Sequence, residues 1–192
     1  MMEVRTPRWI NEPVAHHREG KALVVVTGSE TDFWNNTFYG FRHQNGHFLA
    51  HEVSGDFSVE LKFSANYATL YDQAGAMLRV DDNNWLKCGV EFTDGRKQFS
   101  VVVTRDDQSD WSVMRLRGKA DAPTTLRLTR HAEALRVEIK DGKTWRLVRL
   151  AFLGMPENRR SWPDVLLTYR GSPSGALRAD RLERSDRPRT AS

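Results

Sequence analysis

Gln73, Lys87 and Glu91 fall within the stretch YDQAGAMLRVDDNNWLKCGVEF, residues 71–92, at spacings that bear on chemistry. Two runs with period-two alternation meet here through DDNN, so each run presents one apolar and one mixed face. In the second run Leu86, Cys88, Val90 and Phe92 share a face, and Trp85, Lys87, Gly89 and Glu91 share the other. In the first, Ala74, Ala76, Leu78 and Val80 oppose Tyr71, Gln73, Gly75, Met77 and Arg79. Directly opposed residues of an antiparallel pair point the same way, so their numbers must sum to an even value. A sum of 164 pairs Leu78 with Leu86, Ala76 with Cys88 and Ala74 with Val90 on the core face, with a tight turn at Asp81, Asp82 and Asn83. On the other face it pairs Gln73 with Glu91, Gly75 with Gly89, Met77 with Lys87 and Arg79 with Trp85. The expectation is a hollow floored by facing glycines, with Tyr71 and Trp85 at its ends.

Glu91 could act as an acid or base there, but Lys87 on the same face favours its ionised form. Glycoside hydrolysis uses two carboxylates about 5 to 10 Å apart. The strand offers one: Asp72 falls on the core side and Asp110 on a hairpin loop. A glycosidase is therefore disfavoured, and a one-base reaction such as sugar isomerisation or lyase chemistry is the enzyme alternative. Recognition needs less: Trp34, Tyr39, Trp85 and Trp111 supply flat platforms, and Gln73, Glu91 and Arg42 supply hydroxyl partners. If Phe99, Val101 and Val103 point inward, Ser100, Val102 and Thr104 join the patch. His43, His47 and His51 recur every four residues, but the turn-like QNG between them removes the helix that would align them. DDNN lacks a calcium-loop pattern and reads as a turn. No metal and no cofactor is expected.

The elements that must position these residues are short strands. ALVVVTG, DFSVELKFS, YDQAGAMLRV, NWLKCGVEF, QFSVVVTR, TLRLTR, ALRVEIK, TWRLVRLAF and DVLLTYR alternate with polar turns, which predicts an all-β antiparallel sandwich. At 192 residues, 39% of them hydrophobic, the chain can bury one core. One domain is expected over residues 1–183, with a polar, disordered tail at 184–192. One short helical turn is expected over MPENRRSWP, and SETDFWNNTFYGFRHQNGHFLA reads as a long irregular loop. The net charge of +4 sits mainly at the C-terminus, where six arginines from Arg170 onward face Asp180, Glu183 and Asp186. Aromatic stacking residues are missing from that segment, so no nucleic-acid partner is expected. No run is apolar enough for a leader or a membrane span, and the single Cys88 fits a buried thiol in the reducing cytoplasm.

NEP near the start, DFWNNTFYGF followed by NGH, YDQAGAML, NNWLKCGVE, SVVVT and SDWS occur in that order between Trp9 and about Ser112. Together they resemble the widespread uncharacterised family that contains the yeast proteins named for regulation of enolase. That resemblance implies a concanavalin-A-like jelly roll, two packed antiparallel sheets with a concave face, similar to domains appended to some β-xylosidases. It places Gln73, Lys87 and Glu91 on the concave face, with Trp34, Tyr39, Arg42 and His47 as a wall. The expected ligand-binding set is Trp34, Tyr39, Arg42, His47, Tyr71, Gln73, Trp85, Lys87, Glu91, Thr104, Asp110 and Trp111, with Glu91 as the catalytic group if a reaction is run. A small polar ligand, a saccharide or similar metabolite, fits that set. The family name adds a metabolic enzyme such as enolase as a candidate protein partner.

Overall fold

The structure, a computed structural model, describes residues 7–53, 55–116 and 122–154 in full and the backbone of 164–170 and 176–185. Alternation is translated into sixteen strands: β1 (Arg8–Ile10), β2 (Ala15–Glu19), β3 (Ala22–Val26), β4 (Phe33–Asn35), β5 (Arg42–Gln44), β6 (His47–Glu52), β7 (Phe57–Ala65), β8 (Gln73–Arg79), β9 (Trp85–Thr93), β10 (Arg96–Arg105), β11 (Gln108–Arg115), β12 (Thr124–His131), β13 (Ala134–Asp141), β14 (Thr144–Phe152), β15 (Asp164–Arg170) and β16 (Ala176–Ser185). Among the described residues there is no helix, and so none long and apolar enough to cross a membrane. The helical turn expected over 155–163 lies outside the described residues.

Two seven-stranded antiparallel sheets pack face to face as a concanavalin-A-like jelly roll. The first runs β1-β6-β15-β8-β9-β10-β11 and the second β14-β13-β12-β7-β16-β3-β2. Both late strands lie inside a sheet: β15 between β6 and β8, β16 between β7 and β3. β16 also runs to Ser185, past the boundary expected at 183. The core takes Ala76, Leu78, Leu86, Cys88, Val90, Phe99 and Val101 from the first sheet and Val59, Leu61, Phe63, Leu126, Leu128 and Val137 from the second. Burying each large side chain is worth roughly 1.5 to 3 kcal/mol, which is what holds two such sheets together.

The β8–β9 hairpin has the register read from parity, with Gln73 opposite Glu91, Gly75 opposite Gly89 and Met77 opposite Lys87. Pairing continues through β10 and β11, so Met77, Lys87, Val102 and Trp111 form one row across the outer face. Arg79, Trp85, Thr104 and Ser109 form the next. The segment expected to be an irregular loop contains more order than its composition suggested. β4 and β5 pair as a separate two-stranded hairpin, and the same segment begins β6. Strand length explains the miss: three-residue strands carry too few alternations to register as a period.

Candidate functional site

The β4–β5 hairpin lies over the outer face of the first sheet, and DFWNN is the segment that seats it. Phe33 turns down onto Trp85, edge to face at 6.2 Å, and onto Phe48 at 6.3 Å. Gly46 leaves room for this, since a β-carbon there would come within 2.5 Å of the Phe33 ring. Asn35 is fully buried and bonded on every side. Its backbone N–H donates to Ser109 Oγ at 2.9 Å, its Nδ2 donates to Asp82 O at 2.9 Å and Asp107 Oδ1 at 2.7 Å, and its Oδ1 accepts from Gln44 Nε2 at 2.6 Å. Asn36 Nδ2 adds a bond to Asp107 Oδ2 at 2.6 Å. A buried amide with all its bonds made fixes the hairpin on the β10–β11 turn.

Under this roof is a cavity of about 530 Å³. Its aromatic walls are Trp34, Tyr39, Phe41, Tyr71 and Trp111, its floor is Val102 and Lys87, and Glu30, Asp32, His43 and Glu91 supply polar groups. The Trp34 indole is held by Nε1 donating to Thr37 O at 3.1 Å, and Trp111 by Nε1 donating to Ser100 Oγ at 3.0 Å. The Lys87 ammonium, its side chain 8% exposed, donates to Asp32 Oδ1 at 2.6 Å and Gln73 Oε1 at 2.9 Å. That carboxylate oxygen also accepts from Gln73 Nε2 at 2.9 Å and the Phe33 N–H at 2.7 Å. Three donors converging on one oxygen set Asp32 as a fixed anchor, and Asn45 Oδ1, accepting from the Asp32 N–H at 3.0 Å, fixes its backbone. Chemically this is a rigid polar row beside flat apolar walls: acceptors and donors for hydroxyls, ring faces for C–H surfaces.

The cavity does not sit on the glycines. A β-carbon on Gly75 would run into the Cys88 carbonyl, and one on Gly89 into the Ala74 carbonyl, so these glycines are required by the close approach of β8 and β9. The dip above them holds only about 10 Å³, barely a water. Ligand-sized space lies one row over, at Lys87, Val102 and Trp111.

Of the twelve residues expected from sequence, the structure brings Trp34, Tyr39, Tyr71, Lys87, Glu91 and Trp111 to the cavity lining, with Gln73 bonded behind Lys87. Five do not belong there. Trp85 is covered by Phe33 and serves as packing. Thr104 is buried and bonded to Ser109 Oγ at 2.7 Å, beneath the hairpin. His47 is buried, its Nδ1–H donating to Asn11 O at 2.8 Å while Nε2 accepts from the Gly28 N–H at 2.9 Å, so backbone occupies both ring nitrogens. Arg42 faces the turns rather than the cavity, with Nη2 donating to Asn83 Oδ1 at 2.8 Å and Nε 3.2 Å from Asp107 Oδ1. Asp110 opposes Val103, on the face away from Trp111, and pairs with Arg149 at 3.2 Å. Asp32, Glu30 and Phe41 lie outside the expected set. Asp32 stands just ahead of β4, two residues before Trp34, and that spacing was the available signal, since residues two apart in an extended chain share a side.

A larger cleft of about 710 Å³ opens between the sheets near Tyr67, Arg96, Lys97, Arg115 and Lys140. Arg96, Arg115 and Lys140 are exposed there, which makes it a solvated edge rather than a built site.

Sheet order, antiparallel pairing and the roofed outer face define a concanavalin-A-like β-sandwich. Within that class the chain belongs to the protein-of-unknown-function family DUF1349, matched over residues 9–162. Regulation of enolase protein 1 of Saccharomyces cerevisiae is 41% identical over 150 residues, 78% of this chain and 75% of that protein. The crystal structure of a functionally unknown Saccharomyces cerevisiae protein superposes with a TM-score of 0.84 at 34% identity, covering 93% of this chain and 95% of that one. The carbohydrate binding module CBM66 of Bacillus subtilis superposes with a TM-score of 0.57 at 10% identity, covering 93% and 95%, a likeness of fold. The family match stops at residue 162, yet β15 and β16 follow it and lie inside both sheets.

Proposed function

We propose that this protein, acting in the reducing cytoplasm, binds a carbohydrate or sugar-like polyol in the cavity beneath the β4–β5 hairpin. The observation that carries this reading is the co-location of the Lys87, Asp32 and Gln73 row with Trp34, Tyr39 and Trp111 around about 530 Å³. Hydroxyls meet the fixed polar row while the apolar ring face lies on the indoles. Likeness of fold to the Bacillus subtilis carbohydrate binding module supports the same direction. A thermal-shift screen of neutral and amino sugars, uronates and polyols tests it, because a ligand that binds only the native state must raise the melting temperature. The expected result is a rise for at least one saccharide that Trp111→Ala and Lys87→Met abolish. A panel with no shift overturns the reading, and stoichiometric co-elution with enolase in that case puts a protein partner in its place.

A second reading, a sugar-active enzyme, draws on Asp32, which brings another carboxylate to a cavity where one strand supplied only Glu91. Since Asp32 Oδ1 already accepts three bonds, Glu91 is the group assigned to proton transfer. Glu91→Gln then keeps affinity for the saccharide and loses its turnover; no product from the wild type on prolonged incubation rules this reading out.

A further inference from the structure

We propose that the site continues past the cavity along the crest of the β4–β5 hairpin, so that its ligand is a chain of two or more linked sugar rings, with Phe38 as an outer stacking platform. This rests on the saccharide reading above and deepens it. Phe38 is 93% exposed, while Tyr39 and Phe41, at 43% each, also line the cavity. The rings touch in succession. Phe38 meets Tyr39 edge-on at 5.1 Å, and Tyr39 lies nearly parallel to Phe41 at 5.4 Å with an 18° tilt. The aromatic wall of the cavity therefore runs out of it without a break and ends in a ring presented to solvent.

The backbone beneath Phe38 is costly. The Thr37 N–H donates to Asn35 O and the Tyr39 N–H to Thr37 O, both at 2.7 Å, and the residues between, Asn36 and Phe38, have φ of 52° and 63°. These are consecutive γ-turns of the rare positive-φ kind. Asn tolerates that region, but a phenylalanine there costs about 1 to 2 kcal/mol. Among the described residues, the Tyr39 edge contact is the only ring contact Phe38 makes. Glycine or asparagine would remove the strain and the exposed ring at once, so the fold gains nothing from this residue type. Preorganisation for an outside ligand is what the position does serve: the crest is tied down by the Gly40 N–H to Asn36 O at 2.9 Å, the Asn36 N–H to Phe41 O at 3.0 Å and the Asn36 amide to Asp107.

The width of the crest selects the occupant. Thr37 is engaged with Gln108 Oε1 at 3.1 Å and Arg42 with Asp107, so polar groups flank a strip only three aromatic residues long. A stable protein interface needs about 800 Å² per partner with an apolar centre. A narrow ladder of ring faces leading from a cavity fits a linear glycan better than a protein surface.

Labelled wild type and Phe38→Ala are applied to an array of mono- and oligosaccharides of varied linkage, followed by calorimetry on the best oligosaccharide and its constituent monosaccharide. Wild type is expected to bind the oligosaccharide more tightly than the monosaccharide. Phe38→Ala is expected to lose roughly tenfold on the oligosaccharide, the worth of one stacking contact, and to keep its affinity for the monosaccharide. Phe38→Asn, which relieves the backbone, gives the same loss with an equal or higher melting temperature, separating recognition from folding. Equal affinity for both lengths, or indifference to Phe38, overturns the extended site and leaves the saccharide cavity standing. Binding of no glycan at all overturns both, and a protein captured by wild type and lost in Phe38→Ala assigns the crest to a protein instead.

Discussion

Among the described residues each sheet carries one buried cation on its outer face, and the two are treated differently. In the second sheet Arg127 is enclosed. Its Nε and Nη2 donate to Glu60 Oε1 at 3.0 and 2.6 Å, its Nη1 is 3.6 Å from Glu138, and the Trp145 ring lies 3.8 Å over the guanidinium. In the first sheet Lys87 is equally well paired, yet the space beyond its ammonium is a cavity walled by aromatic rings. A planar fork filled on every side glues neighbouring strands together. A point charge with partners on one side and a roofed void on the other can offer its row to a visitor. Burial and pairing do not by themselves mark a site; the open volume beside them does.

That contrast can be broken in order of size. Arg127→Met takes both guanidinium bonds from Glu60 and leaves Glu138, whose side chain is 6% exposed, with only Arg136 at 2.9 Å among the described residues, and costs about 3 kcal/mol or more in urea unfolding while saccharide affinity stays unchanged. Asn35→Ala leaves the Asp107 carboxylate, Asp82 carbonyl and Gln44 amide each short of a partner, and costs about 2 kcal/mol. Because Asn35 seats the roof, this variant also weakens ligand binding, which calorimetry reads. Lys87→Met costs about 1 to 2 kcal/mol, since Asp32 keeps Gln73, the Phe33 N–H and access to solvent through the cavity, while affinity is lost. A larger stability loss at Lys87 than at Arg127 breaks the contrast.

At neutral pH the smallest effect belongs to the core both faces share. Burial pushes the Cys88 thiol up to about 12, so the fold favours the neutral form. Its contribution to stability is complete below the unfolded value of about 8.5 and drains away as pH climbs towards 12. Wild type therefore loses melting temperature between pH 8 and 11 more steeply than Cys88→Ala. Burial also raises the Tyr67 phenol, which acts with the same sign in both variants, so the difference between the two curves isolates the thiol.

Much of this was open to sequence reasoning, within one strand pair. Parity and the DDNN turn determine the β8–β9 register because a one-residue slip would turn Leu86, Cys88 and Val90 out to solvent. Parity also places Trp85 on the face with Lys87 and Glu91, but it is silent about whether that ring becomes covered. That depends on where Phe33 lands, a contact between residues far apart in the chain. Asp32 reaches Lys87 across 55 residues, and no local pattern encodes such an approach. The same limit explains His47 and Arg42: a histidine and an arginine in a polar aromatic loop look like ligand contacts until the backbone carbonyls and turn acids that engage them are in place.

The interior positions of β15 and β16 carry one more consequence. Glu52 pairs with Asp164, and Ala22 to Val26 wait for a neighbour that begins at Ala176. On a ribosome releasing the chain from its N-terminus, each half-built sheet holds an unsatisfied gap until β15 and β16 emerge. Cutting the chain at the end of the family match leaves β6, β8, β7 and β3 with bare inward edges, the kind of edge that recruits foreign strands. Production of this protein is thus a race between the arrival of β15 and β16 and capture of those vacant edges by a neighbouring nascent chain.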